Sequence, residues 1–198
     1  MLYEKWNLVI EAERGVSPVG KETQWLAMHA AKMQFKYAVD IGTGTGFIPI
    51  YLSSLGKKCD GTDINPLALS CARKNAAINK TPVNFYEADL LNNLKRKYDL
   101  VIFNPPFGSA GSTKMNKYIE VIKSFIPKGN PIISQFSFLL IKKQRRKLIT
   151  RFLQEIPSAC EKGKVLLWLH PSELKLLKNF KFQILEQGKY MRVVLLTF

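Results

Sequence analysis

The sequence predicts an α/β fold built on a doubly wound, mainly parallel sheet. Three observations predict it. A short apolar run, Tyr37 to Ile41, stops at a glycine-rich turn, Gly42-Thr43-Gly44-Thr45-Gly46, and passes into a helical pattern from Phe47 to Leu55. Runs of this kind then alternate with helical patterns through the first half of the chain, the signature of βαβ units. Gly42, Asp63, Asp89 and Asn104 all fall at or just after expected strand ends, which is where such sheets bind ligands.

Residues 1–20 read as an irregular segment closing in the loop Gly15-Val16-Ser17-Pro18-Val19-Gly20. Trp25, Leu26, Met28, His29 and Met33 recur at near-helical spacing and predict a helix from Glu22 to Phe35. The first strand and its helix follow, the helix ending at Gly56. Lys58 to Asp63 is a weaker second strand. Asn65 and Pro66 start the next helix, because an Asn cap accepts free backbone N–H groups and Pro suits the first helical position. That helix runs to Ile78. Val83 to Tyr86 and Tyr98 to Phe103 are the third and fourth strands.

Beyond Phe107, residues 108–113 read as a loop and Lys117 to Phe125 as a helix. Residues 127–140 are ambiguous: Phe136, Phe138 and Leu140 alternate like a strand, against Pro127, Gly129 and Pro131. Leu148, Ile149, Phe152, Leu153 and Ile156 form a helical stripe from Arg146 to Ile156. Val165 to Leu169 is a buried strand, Pro171 opens a short helix, and residues 182–185 and 192–196 pair antiparallel around Gly188.

The chain has 198 residues and 46% hydrophobic content, enough for one domain with a sizeable core. Residues 1–35 are expected to form a segment and helix covering the ligand site, and 36–198 the main domain. No apolar run is long enough for a bilayer, and the N-terminus lacks a signal-peptide layout. Three scattered cysteines with no CxxC pair argue against a metal site and for a cytoplasmic chain with reduced thiols. The net charge is +15, and most of it follows Asn104: 17 Lys/Arg against 5 Asp/Glu in residues 100–198, but 13 against 10 in residues 1–99. Such a balance favours a polyanionic partner, RNA above all, over a merely solvated lysine-rich surface.

Glycines in the turn let the backbone approach a ligand closely. Asp40, two residues before the first of them, suits a cationic or amine-bearing ligand better than a pyrophosphate. Asp63 is placed for ribose hydroxyls, and Asp89 for an adenine amino group. The turn alone also fits nicotinamide enzymes. The segments Val39 to Ile50, Asp63 to Leu69 with Ala72 to Ala76, and Asp99 to Phe107 closely resemble class I S-adenosylmethionine-dependent methyltransferases. The resemblance is to the amino-methylating branch, which holds HemK-type protein-glutamine and adenine-N6 enzymes. It is dense over residues 37–107 and thin elsewhere. It implies a Rossmann-like, seven-stranded sheet with an antiparallel last strand and S-adenosyl-L-methionine as cofactor. It places Asp40, Gly42, Thr43, Gly44 and Gly46 at the methionine end, Asp63 and Ile64 at the ribose side and Asp89 at the adenine, and counts Asn104 as cofactor-binding too.

Asn104-Pro105-Pro106-Phe107 is the candidate catalytic motif. An amide or ring amine has its lone pair delocalised, and acceptors on both N–H groups bias it towards pyramidal nitrogen. The Asn104 side-chain carbonyl supplies one acceptor and the Pro105 backbone carbonyl the other. Pro106 stiffens the turn, and Phe107 can stack on a flat acceptor. The alternative, a stiff turn closing a strand, leaves the position of the motif unexplained. Lys142, Lys143, Arg145, Arg146, Lys147 and Arg151 form the densest basic cluster. With Lys114 and Lys117 they are candidate phosphate contacts, which tilts the expectation to adenine N6 in RNA. A protein-glutamine N5 acceptor is the alternative, and a non-catalytic RNA-binding or partner-binding module is the third reading.

Overall fold

In a computed structural model of the chain, residues 2–3, 5–106, 131–160 and 163–198 are described, with 2, 3, 5 and 131–138 by backbone alone. The expected loop at 108–113 and helix at 117–125 lie outside them.

Two short strands, β1 (Leu2–Tyr3) and β2 (Ile10–Glu11), pair antiparallel inside the segment read as irregular. Then follow α1 (Lys21–Ala31), β3 (Ala38–Ile41), α2 (Phe47–Ser54), β4 (Cys59–Asp63), α3 (Pro66–Ile78), β5 (Phe85–Glu87) and β6 (Leu100–Phe103). After them come α4 (Pro131–Ala159), β7 (Lys164–Leu169), a 3₁₀ helix (Pro171–Leu177), β8 (Lys181–Gln187) and β9 (Arg192–Thr197). Strands β3–β9 make a seven-stranded sheet in the order β5-β4-β3-β6-β7-β9-β8. The first five run parallel, and β9 lies antiparallel to both its neighbours. This is the doubly wound sheet with an antiparallel last strand that the sequence led one to expect.

Helix α3 starts where its residues dictate: the Asn65 side chain accepts from Leu67 N at 3.1 Å, and Pro66 takes the first helical position. Helix α4 corrects the sequence reading. Residues 131–140 are helical, and one helix of 29 residues replaces the expected short one. Pro131 sits at its start, where a missing N–H is harmless, and no Gly or Pro interrupts residues 132–156. Continuous i→i−4 bonding therefore overrides the local two-residue alternation.

The central strands β6 and β7 are buried on both faces and almost wholly apolar, whereas β4 carries Asp60, Thr62 and Asp63 and the edge strand β8 is largely exposed. Leu100 and Ile102 of β6 pack with Leu26, Ala30, Phe47 and Ile50 of α1 and α2. Val101 and Phe103 pack on the other face with Ile149, Phe152 and Ile156 of α4. Asn75 of α3 ties the N-terminal segment down: its Oδ1 accepts from Glu11 N at 3.0 Å, and its Nδ2 donates to Glu11 O and Thr45 O at 2.9 Å each. Among the described residues no helix is long and apolar enough to cross a membrane.

Candidate active site

The parallel register brings the carboxyl ends of β3, β4 and β6 together, because Ile41 aligns with Thr62 on one side and Phe103 on the other. Beyond those ends lies a cavity of about 490 Å³. Residues 15–19 and the start of α1 close one wall; the glycine turn and Asp63 form the floor; Asp89, Asn104, Pro105 and Pro106 complete the rim.

Three carboxylates face this cavity in different surroundings. Asp40 is 3% exposed and accepts from Thr43 Oγ1 at 2.8 Å. Burial pushes its pKa up to about 7; the Thr43 bond works against this, and the charge of Asp63 adds to it. Asp63 is also raised by burial, but N–H groups of Asn65, Gly44 and Ile64 oppose the shift. Its Oδ1 accepts from Asn65 N at 2.9 Å and its Oδ2 from Gly44 N at 3.0 Å, which fixes the carboxylate plane. Asp89 is half-exposed and pairs with Arg151 Nη2 at 2.9 Å. Glu155 holds that arginine at 2.7 Å and also receives Leu91 N at 3.1 Å.

Asn104 follows β6, and its amide Nδ2 donates to Thr23 Oγ1 of α1 at 3.3 Å. Its Oδ1 carries no hydrogen bond among the described residues. The neighbouring Pro105 carbonyl accepts from Nη1 of Arg145.

Asp40, Gly42, Thr43, Gly44, Asp63, Ile64, Asp89, Asn104, Pro105 and Pro106 thus share one cavity. Gly46 stands apart from it. A Cβ there would meet Ala72 Cβ at 2.8 Å and Phe85 Cζ at 3.0 Å, so its glycine serves the packing of α3 and β5 on the turn. Phe107, Lys114 and Lys117 lie outside the described residues.

Arg145 is a correction. It was expected among the phosphate contacts, yet it is 3% exposed. Counting back from Ile149, Phe152 and Ile156 puts it on the apolar stripe of α4, facing inward. Its Nε donates to Glu173 Oε1 at 2.9 Å and its Nη2 to Trp168 O at 2.8 Å. Of the remaining cluster, Lys142, Lys143, Arg146 and Lys147 line a second, basic groove of about 600 Å³ that runs along α4 to Arg151. Arg146 is partly engaged, donating to Ser172 O at 3.3 Å.

Sequence reasoning missed Glu173, and it assigned Trp168 only to the core. A signal for Glu173 existed: His170-Pro171-Ser172-Glu173 follows a strand with the spacing of a capping box. Glu173 Oε2 accepts from His170 N at 2.8 Å. Trp168 is 7% exposed, borders the cavity and stacks tilted on Trp25 at 5.4 Å.

A family model described as the methyltransferase small domain matches residues 16–163. A provisionally assigned protein N5-glutamine methyltransferase of Methanocaldococcus jannaschii is 29% identical over 174 residues, covering 87% of this chain and 80% of that protein. A release factor glutamine methyltransferase of Deinococcus radiodurans is 37% identical over 93 residues, covering 43% of this chain but only 33% of that protein. Among solved structures, a 16S rRNA N2 methyltransferase of Thermus thermophilus in complex with S-adenosylmethionine and guanosine aligns with a TM-score of 0.67. It covers 96% of this chain and 47% of the other at 16% identity, a likeness of fold. The sheet order, the cavity at its carboxyl edge and the match over most of the chain agree: the protein belongs to the methyltransferase small domain family and is an S-adenosylmethionine-dependent methyltransferase.

Proposed function

We propose that the protein methylates the side-chain amide nitrogen of glutamine in a protein substrate. The observation that carries this reading is the pairing of two carbonyls at one rim. With Nδ2 on Thr23, Asn104 Oδ1 carries no hydrogen bond among the described residues, and the Pro105 carbonyl stands next to it in the chain. Two such acceptors suit a primary amide and an exocyclic ring amine alike, and the glutamine methyltransferases among the relatives favour the amide.

The cavity fits the cofactor. It combines a buried carboxylate, a carboxylate held rigid by backbone N–H groups, and open space in front of the turn. No atom lies within 4 Å of a Cβ placed on Gly42, whose φ of +67° already favours glycine. Asp40 with Gly42, Thr43 and Gly44 would hold the cationic methionine end. Asp63, flanked by Ile64, would accept ribose hydroxyls, and Asp89 an adenine amino group. When bound, S-adenosylmethionine supplies an electrophilic methyl on a sulfonium. The chain's own residues do the rest by placement: Asn104 and Pro105 draw on the two N–H groups, localise the nitrogen lone pair and aim it at the methyl. Pro106 fixes the turn, and residues 15–19 border the cavity. The motif contains no strong base, and water accepts the proton that the product nitrogen releases.

A second reading, adenine N6 in RNA, is supported by the basic groove on α4. The two separate in one assay. The enzyme is incubated with methyl-labelled S-adenosylmethionine and separate RNA, DNA and protein fractions, each then digested to monomers. Label in N5-methylglutamine is expected; label in N6-methyladenine instead would overturn the glutamine assignment in favour of RNA.

A further inference from the structure

We propose that Arg145, held by Glu173, is a positioning residue for methyl transfer: its guanidinium sets the angle at which the Pro105 carbonyl meets an acceptor N–H. The inference rests on the reading above that Asn104 and Pro105 receive the two N–H groups, and it holds for either acceptor.

Four elements converge on this one side chain. Arg145 comes from α4, Pro105 from the end of β6, Trp168 from the end of β7 and Glu173 from the 3₁₀ helix. Its planar fork joins the two strand ends that border the cavity, which a lysine, a point charge on a flexible stem, cannot reproduce. The anion is fixed in turn, since Glu173 is 2% exposed and its second oxygen accepts from His170 N at 2.8 Å.

Pro105 borders the cavity, whereas Arg145 does not. A carbonyl oxygen has two lone pairs, so the bond from Arg145 leaves one available to the acceptor. The ion pair is neutral overall, so it orients the carbonyl without adding net charge beside a cationic cofactor. Burying such a pair is costly, and well-packed apolar residues often serve stability as well or better. The retained charge is thus explained better by the geometry it imposes than by stability. Misplacement by about 1 Å at a reacting centre can lower a rate on the order of 10²-fold.

The chain offers a direct probe of the contact. Pro105-Pro106 is its only Pro-Pro pair. Protein labelled with ¹³C-carbonyl and ¹⁵N only in proline therefore gives a single carbonyl–nitrogen correlation, from Pro105 carbonyl to Pro106 nitrogen. Three proteins are compared: wild type, Arg145→Lys, and the double variant R145M/E173Q, which removes both charges while keeping an oxygen for His170 N. Their readouts are this resonance, thermal melting, S-adenosylmethionine affinity by calorimetry, and single-turnover transfer to whichever fraction the wild type labels.

The resonance is expected to move upfield in both variants, as the carbonyl loses the Arg145 Nη1 donor. Cofactor affinity should stay near wild type, and turnover should fall on the order of 10²-fold. The double variant should regain melting temperature without regaining turnover. Recovery of both together would reduce the pair to a structural role and overturn the proposal, as would an unmoved resonance. Wild-type label on adenine would sink the glutamine reading alone, and the comparison would then run on RNA.

Discussion

Asp40 shows how one residue carries both a stability term and a binding term. Its unfolded pKa is near 3.8 and its folded value about 7. Between those values the folded chain keeps a proton that the unfolded chain releases, so stability falls as pH rises through this window and levels off above it. A cationic ligand needs the ionised form. S-adenosylmethionine affinity should therefore weaken about tenfold per pH unit below 7 and plateau above it. Calorimetry across that range checks this, and Asp40→Asn should flatten the profile while weakening binding. Asn104 is the complementary case, since in the proposed reading its side-chain carbonyl receives an acceptor N–H. Asn104→Ala should leave cofactor affinity nearly intact and cut methyl transfer by about 10²-fold or more, the scale of a lost preorganised contact. Calorimetry beside a tritiated-methyl assay separates the two effects; equal losses in both would count against the role of Asn104.

Among the elements, the glycine turn divides its labour. Gly46 has φ +78° and is walled in by Ala72 and Phe85, whereas Gly42 opens on empty space. Gly46→Ala combines left-handed strain with overpacking and should cost about 2–5 kcal/mol, read as a lower urea midpoint. Gly42→Ala carries only the strain, about 1–2 kcal/mol, but should weaken cofactor binding sharply because its methyl enters the cavity. Helix α4 illustrates the limits of local pattern. Its stripe of Ile149, Phe152, Leu153 and Ile156 was legible, and the same spacing carried Arg145 inward. The strand-like alternation of Phe136, Phe138 and Leu140 gave no warning that the helix begins at Pro131. Two-residue spacing in so short a stretch is compatible with either state, and only the continuity of the whole segment decides.

For the molecule as a whole, the charge asymmetry becomes a groove. Lys142, Lys143 and Lys147 line it beside Arg146, and Lys143 and Lys147 are exposed. Reversing all three lysines to Glu should weaken RNA binding and flatten its salt dependence, each lost phosphate contact reducing the slope by about one. Filter binding over a salt series measures it, and unchanged affinity would remove RNA as a partner of this face. The same substitutions should leave melting nearly unchanged, since none of the three side chains is part of the core.

The sequence by itself determined the central strands and the loops that carry Asp40, Gly42, Asp63, Asp89 and Asn104 to one edge. These are local matters: apolar runs stop at glycines, Asn65 caps a helix, and parallel strands leave their carboxyl ends on one edge. Only the tertiary structure decided which way individual charges point. The assignment of Arg145, the pairing of Asp89 with Arg151, the packing duty of Gly46 and the bond from Thr23 to Asn104 each join residues far apart in the chain. Nothing in local composition encodes such a meeting, because it exists only once two sheet faces and their helices have closed around the same strand ends.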